Sequence, residues 1–413
     1  MTHDPKTALS DRTADTILGN KEAWTRRMFE LATQMRADGG PVYDLSLGNP
    51  SLEPPALWRE TIRELLADEP PGMHRYMTNA GYPEVRAFIA RREGTRYGLD
   101  FAPEDVTMTV GAAGALNVVL RSMVDPGDEI LVPAPYFSEY DHYAANAGAT
   151  LVPVRTTADF ALDLDAIEAA LTPRTRLVLL NSPNNPTGRI YDDASLAGLA
   201  QRLRAHAETQ ARPVFTVEDA PYRDLVHDGG AVPSMLAHYD DALFLTSHSK
   251  DLGLAGERIG YLLISPRAVG RDLLRRAFGF SNRILGFVNA PALMQRALPK
   301  VLDRPEGRVD VEVYARHCRR MADGLRELGF ELPPVKAGFF LFPRIPEALA
   351  ARLSEGETEG RSSDVLLTEA LREARCVVVP GTAFGVPDHL RLSLCVDDAT
   401  VDGALEAFRR VCG

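Results

Sequence analysis

Lysine is nearly absent from this chain. Of 46 basic residues in 413, only Lys6, Lys21, Lys250, Lys300 and Lys336 are lysines. Cysteine is scarce as well. Cys318, Cys376, Cys395 and Cys412 all fall in the last quarter without metal-ligand spacing, which excludes a disulfide scaffold and a cysteine-based metal site and reads as reduced thiols. Positive charge is in deficit: the net charge of -11 argues against nucleic acid or an anionic membrane as partner. No run reaches the roughly 18 apolar residues of a membrane span, and Met1 to Asn20 has no apolar signal core. With 45% hydrophobic and 25% charged residues, the chain has the composition of a globular protein long enough for two domains, expected in the cytoplasm.

Short β-branched runs alternate with helical patterns. Strands are expected over 106–110, 128–133, 150–155, 176–180, 213–217, 242–246 and 259–264. Helices are expected over 115–124, 162–171 and 194–206. This order predicts an α/β fold with a mostly parallel central sheet covered by helices, whose ligands bind at the carboxyl ends of the strands. We expect an N-terminal arm over 1–20 and a large domain over 50–300. A smaller α+β domain is expected from both chain ends, 21–49 and 301–413, with a polar loop over 354–363.

The one lysine kept at the end of an apolar strand is Lys250, after Ala242-Leu243-Phe244-Leu245-Thr246. Arginine stays protonated, whereas a desolvated lysine can lose its proton and act as a nucleophilic amine. Alone, Lys250 reads more readily as a surface loop residue. Three other segments stand at strand ends. Gly111-Ala112-Ala113-Gly114 opens a helix whose free amides suit a phosphate, although a plain tight turn explains it too. It lacks the full dinucleotide fingerprint, which weakens a nucleotide-dependent dehydrogenase. Asn181-Ser182-Pro183-Asn184-Asn185-Pro186-Thr187-Gly188 is a rigid turn rich in amides. Asp219 ends an apolar strand, where it is either a helix cap or a buried carboxylate in need of a cation. Ser247 and Arg258 flank Lys250 and together can hold a phosphate.

In order and spacing these segments closely resemble the fold-type I pyridoxal-phosphate aminotransferases of the aspartate aminotransferase superfamily, over about Leu45 to Val411. Asn184-Asn185-Pro186-Thr187-Gly188, Asp219-Ala220-Pro221-Tyr222 and Ser247-His248-Ser249-Lys250 with Gly256-Glu257-Arg258-Ile259-Gly260 carry the likeness. The resemblance implies a pyridoxal 5'-phosphate cofactor held as a Schiff base on Lys250, which then moves the α-proton. It implies that Asp219 pairs with the pyridinium nitrogen, and that Asn185 and Tyr222 hold the phenolic oxygen. Ser247, Arg258 and the amides of Ala112 and Ala113 would bind the phosphate, and Phe137 would stack on the ring, with Tyr136 adjacent. Tyr76 would reach the phosphate of the partner subunit's site, in a homodimer with shared active sites. Gly48 and Arg391 would face the substrate carboxylate.

The activity implied is ping-pong transfer of an amino group between an L-amino acid and a 2-oxo acid. Elimination, cyclisation, decarboxylation or oxidation on the same cofactor is the rival reading. A non-enzymatic cofactor-binding regulator ranks below it, because the short acidic N-terminus leaves no room for a DNA-binding region. Arg283 lies near where the family can draw a second cation for dicarboxylates from the partner subunit, but its spacing is loose and a structural role is expected.

Overall fold

The computed structural model describes residues 8–18, 24–69, 71–355 and 360–413. The expected arm over 1–20 and loop over 354–363, and also Lys6 and Lys21, therefore lie partly or wholly outside the described residues.

Seven strands form the central sheet: β1 (Val106–Thr109), β2 (Glu129–Pro133), β3 (Thr150–Val154), β4 (Thr175–Asn181), β5 (Phe215–Asp219), β6 (Ala242–Ser247) and β7 (Gly260–Ile264). Their spatial order is β1-β7-β6-β5-β4-β2-β3. The pairs β2–β3, β2–β4, β4–β5 and β5–β6 are parallel, while β7 runs antiparallel to β1 and β6. The strands of the sheet's middle are buried along nearly their whole length because helices cover both faces, and two separate apolar clusters fill those faces. Strand β3 departs from this pattern. It holds Pro153, which cannot donate a ladder bond, and it stands at the edge, half open to solvent.

Two elements differ from the sequence reading in a way that shapes the site. The helix expected from Ala115 begins at Gly111 and runs to Met123, so the small-residue turn is the helix's first turn. Gly111 takes φ +83°, a conformation that favours glycine, and a Cβ there would stand 3.0 Å from the Arg258 guanidinium. The strand expected to end at Val217 runs on to Asp219, because Asn181 and Asp219 remain in ladder register. Asp219 is thus held by the sheet itself.

A second, antiparallel sheet joins Phe340–Leu341, Leu390–Ser393 and Val379–Pro380, and packs its own apolar cluster with helices Val311–Glu327, Ser363–Glu373 and Asp398–Cys412. The N-terminal segment is tied into it. Tyr43–Asp44 pairs with Cys376–Val377, and Ser393 donates its amide to the Leu45 carbonyl at 2.8 Å. This stitching brings residues 46–48 alongside Arg391, far away in sequence. No helix among the described residues is long and apolar enough to cross a membrane.

Candidate active site

A cavity of about 280 Å³ opens at the carboxyl ends of β4, β5 and β6. All of the expected site residues line it except Tyr76 and Arg283. Lys250 sits in the turn that follows β6, and its amine donates to the Gly48 carbonyl at 2.6 Å. Burial brings its pKa down to about 8, and the Arg391 and Arg258 guanidiniums push the same way.

Asp219 is buried at the end of β5. One carboxylate oxygen, Oδ2, accepts the Tyr140 hydroxyl at 2.6 Å, while the other, Oδ1, is buried without a hydrogen-bond partner. Burial pushes the carboxyl up to about 6 against the pull of the Tyr140 hydrogen bond. Asn181, at the end of the adjacent β4, donates to the Asp219 carbonyl at 2.7 Å, and its side-chain oxygen accepts the Asn185 amide at 2.6 Å. The asparagine-rich turn is thereby fixed to the strand that carries Asp219. Tyr222 stands edge-on to Phe339 and Phe340, with ring centroids at 5.7 and 5.5 Å, and burial raises its phenol. Phe137 lines the cavity and meets Tyr140 edge-to-face at 5.5 Å.

Arg391 is 1% exposed, with no carboxylate within ion-pair distance among the described residues. Its Nη2 donates to the Ser46 carbonyl, its Nη1 reaches Asn185 Oδ1 at 3.5 Å, and its Nε is buried without a partner. The guanidinium lies over the rings of Phe340 and Phe384, 5.0 Å from each centroid, and burial brings its pKa down to about 10. A Cβ on Gly48 would stand 2.8 Å from Phe340, so glycine there keeps the ring seated under Arg391. A buried, uncompensated guanidinium is a site prepared for an anion.

At the opposite end the helix Gly111–Met123 begins without a side-chain cap, which leaves its first amides open beside Ala112 and Ala113. Arg258 adopts φ +51° and donates to the carbonyls of Ala255 and Val110 at 2.9 and 3.2 Å. Ser247, the last residue of β6, donates its hydroxyl to Ser249 at 3.2 Å. Amides, a guanidinium and a hydroxyl thus converge on one end of the cavity. Tyr76 is 88% exposed and lies outside the cavity of its own chain, as does the exposed Arg283.

Sequence reasoning missed several lining residues. Asn181 belongs to the asparagine-rich turn that was singled out, and Tyr140 and Tyr143 follow Phe137 on the next helix, but their contacts depend on where a helix and a strand end. Cys395 lies near Lys250, and its thiol is 3.6 Å from the Leu47 carbonyl. Strand alternation from Arg391 through Ser393 to Cys395 was the available signal for it.

Comparison with known proteins agrees with this architecture. The family model for aminotransferase class I and II matches residues 41–408, and the chain belongs to that family. The aspartate/prephenate aminotransferase of Thermus thermophilus is 30% identical over 391 residues, covering 92% of this chain and 94% of that one. The aspartate aminotransferase of Geobacillus stearothermophilus is 28% identical, with 94% and 95% covered. Among solved structures, an amino transferase from Eubacterium rectale superposes with a TM-score of 0.88 at 32% identity, covering 98% of each chain. The aspartate aminotransferase of Thermus thermophilus, solved with maleate, gives 0.82 at 27% identity over the whole of both. The protein is an aminotransferase of the pyridoxal-phosphate-dependent, fold-type I class.

Proposed function

We propose that this cavity binds pyridoxal 5'-phosphate with Lys250 as its point of attachment, and that Lys250 then moves the proton at the substrate Cα. The single observation that carries the reading is the buried, partnerless Oδ1 of Asp219 in the same cavity as a lysine whose pKa burial has lowered to about 8. A buried carboxylate of this kind needs a cationic or proton-donating partner, and a protonated ring nitrogen supplies one. When bound, the cofactor supplies an electron sink for the pair released at Cα.

Each remaining residue has a task that its chemistry supports. Asp219 keeps the ring nitrogen protonated, and Tyr140 orients Asp219. Asn185 and Tyr222 hold the phenolic oxygen. The amides of Ala112 and Ala113, with Ser247 and Arg258, take the phosphate, and Phe137 covers the ring. Arg391, beside Gly48, grips the substrate α-carboxylate in a fixed plane and so selects the bond to be broken. Lys250 is suited to proton transfer because its pKa near 8 lets it both accept and return a proton close to neutral pH.

The reading includes a large unit over 50–300 and a smaller one from 21–49 and 301–413, each supported by its own main apolar cluster, with smaller clusters joining Phe160 to Phe342 and Tyr222 to Phe339 across the division. A homodimer with Tyr76 crossing to the second site is part of the same reading. Leu273, Phe280 and Ile284 are exposed on one side of the helix Arg271–Ile284, an apolar face of the kind subunit contacts cover.

The test is a half-reaction screen. Loaded protein is mixed with single amino acids, and the absorbance of the linked cofactor is followed as it converts to that of the amine form. A 2-oxo acid should then restore it. The names of the relatives put L-aspartate first among the amino acids to try. Conversion that no 2-oxo acid reverses would point to one of the other reactions.

A further inference from the structure

The tasks above leave one charged side chain of the cavity unused. Glu139 lines the cavity with Lys250 and Arg391. It opens the helix Glu139–Ala147, and the same helix delivers Tyr140 to Asp219. Glu139 is therefore held in fixed register with the reacting centre. Its carboxylate accepts the Ser138 hydroxyl at 3.2 Å and its own backbone amide, and no cation stands within ion-pair distance of it among the described residues. An acid in the first helical turn is favoured by the helix dipole, but that does not explain this one. Asp141 lies in the same turn, and nothing in the dipole argument requires the carboxylate that faces the cavity.

The cations of the cavity make the complementary point. Among the described residues they are Lys250, Arg258 and Arg391. One is the amine, one stands at the phosphate end and one faces the α-carboxylate, so this chain lines its own cavity with no further cation for a second substrate carboxylate. Tyr143, four residues after Glu139 and on the same helix face, also lines the cavity and adds a hydroxyl to the wall. Burial pushes the Glu139 carboxyl upward, against the weaker pull of its hydrogen bonds and of the Arg391 charge, so its desolvation is only partly offset. A cation placed against it offsets that cost, and a second carboxylate adds to it.

We propose that Glu139, with Tyr143 beside it, reads the far end of the substrate side chain and selects amino acids that end in a cation over dicarboxylates. The inference rests on the aminotransferase reading of the cavity and names its substrate class.

The experiment uses loaded enzyme and the same absorbance conversion, with L-lysine, L-ornithine and L-arginine set against L-aspartate and L-glutamate. The best basic amino acid should exceed L-aspartate in kcat/KM by about tenfold or more, and Glu139→Gln should erase most of that ratio, the scale expected for one partly buried charge pair. Glu139→Ala serves as a second variant if the first fails to fold. Conversion in which L-aspartate is preferred overturns the proposal while leaving the aminotransferase reading intact, and points to a cation from outside this chain. A basic preference that both variants retain also overturns it. Absence of conversion with every amino acid overturns both.

Discussion

The amine of Lys250 donates to the carbonyl of Gly48 at 2.6 Å, so the turn after β6 is joined directly to the N-terminal segment that is stitched into the second sheet. This hydrogen bond links the two regions and orients the amine in the cavity. It also predicts a pH dependence. Covalent capture of the cofactor needs the neutral amine, and burial sets the Lys250 pKa at about 8. The rate of capture by cofactor-free protein should rise about tenfold per pH unit below that value and flatten above it. Stopped-flow absorbance at pH 6 to 10 measures this. A rate still climbing at pH 10 would mean an ordinary, solvated lysine.

Asp219→Ala should cost turnover about two orders of magnitude, the scale of removing one key electrostatic group, with cofactor retained through the phosphate end. Spectroscopic titration and steady-state kinetics separate the two effects, and near-normal turnover would reduce Asp219 to a structural role.

The same carboxylate has a stability signature in the cofactor-free protein. Its folded pKa, about 6, lies above the ordinary value of 3.8, so the folded state binds the proton more tightly. That contribution is complete below about pH 4 and is lost as pH rises through about 6. Asp219→Asn has no such loss. The variant should gain on the wild type by up to about 3 kcal/mol between pH 4 and 7.5 in urea unfolding. Glu218, which burial pushes up to about 7, is present in both proteins and cancels. A gap that narrows with rising pH would contradict the assignment.

Arg391→Ala should weaken every amino acid alike, because the α-carboxylate is common to all. Loss of a bidentate charge-assisted pair in a closed site should cost roughly 2–5 kcal/mol in kcat/KM. Acidic, neutral and basic substrates measured side by side check this, and an effect confined to one class would move Arg391 to the side-chain end.

The strand ends were legible in sequence because fully buried parallel strands read as unbroken apolar runs, and chemistry-bearing residues follow them directly. Asp219 and Lys250 could be placed for that reason. The partners of those residues were less visible. Residues 46–48 come beside Arg391 only because Tyr43–Asp44 pairs with Cys376–Val377, a contact between chain ends that no local pattern encodes. Tyr140 meets Asp219 only if the helix that carries it starts at Glu139. The helix start at Gly111 was placed too late because glycine and alanine there look like a turn, and the positive φ that makes the turn a helix entry depends on the nearby Arg258 and the close crossing at Gly260.

Tyr76 lies outside its own cavity and is almost fully exposed. If it completes the second subunit's site, mixing inactive Tyr76→Ala with inactive Lys250→Ala should form hybrids with one intact site and restore activity. Hybrids verified by native mass spectrometry that stay inactive would separate Tyr76 from the chemistry.

The central claim is that Lys250 alone carries the cofactor, and chemical trapping tests it most directly. Loaded protein is reduced with borohydride, digested and mapped by mass spectrometry. The account predicts a single pyridoxyl phosphate label on Lys250, absent from Lys250→Ala, which should still bind the cofactor without the absorbance of the covalent link. A label on Lys336, or no label on any lysine, would contradict it.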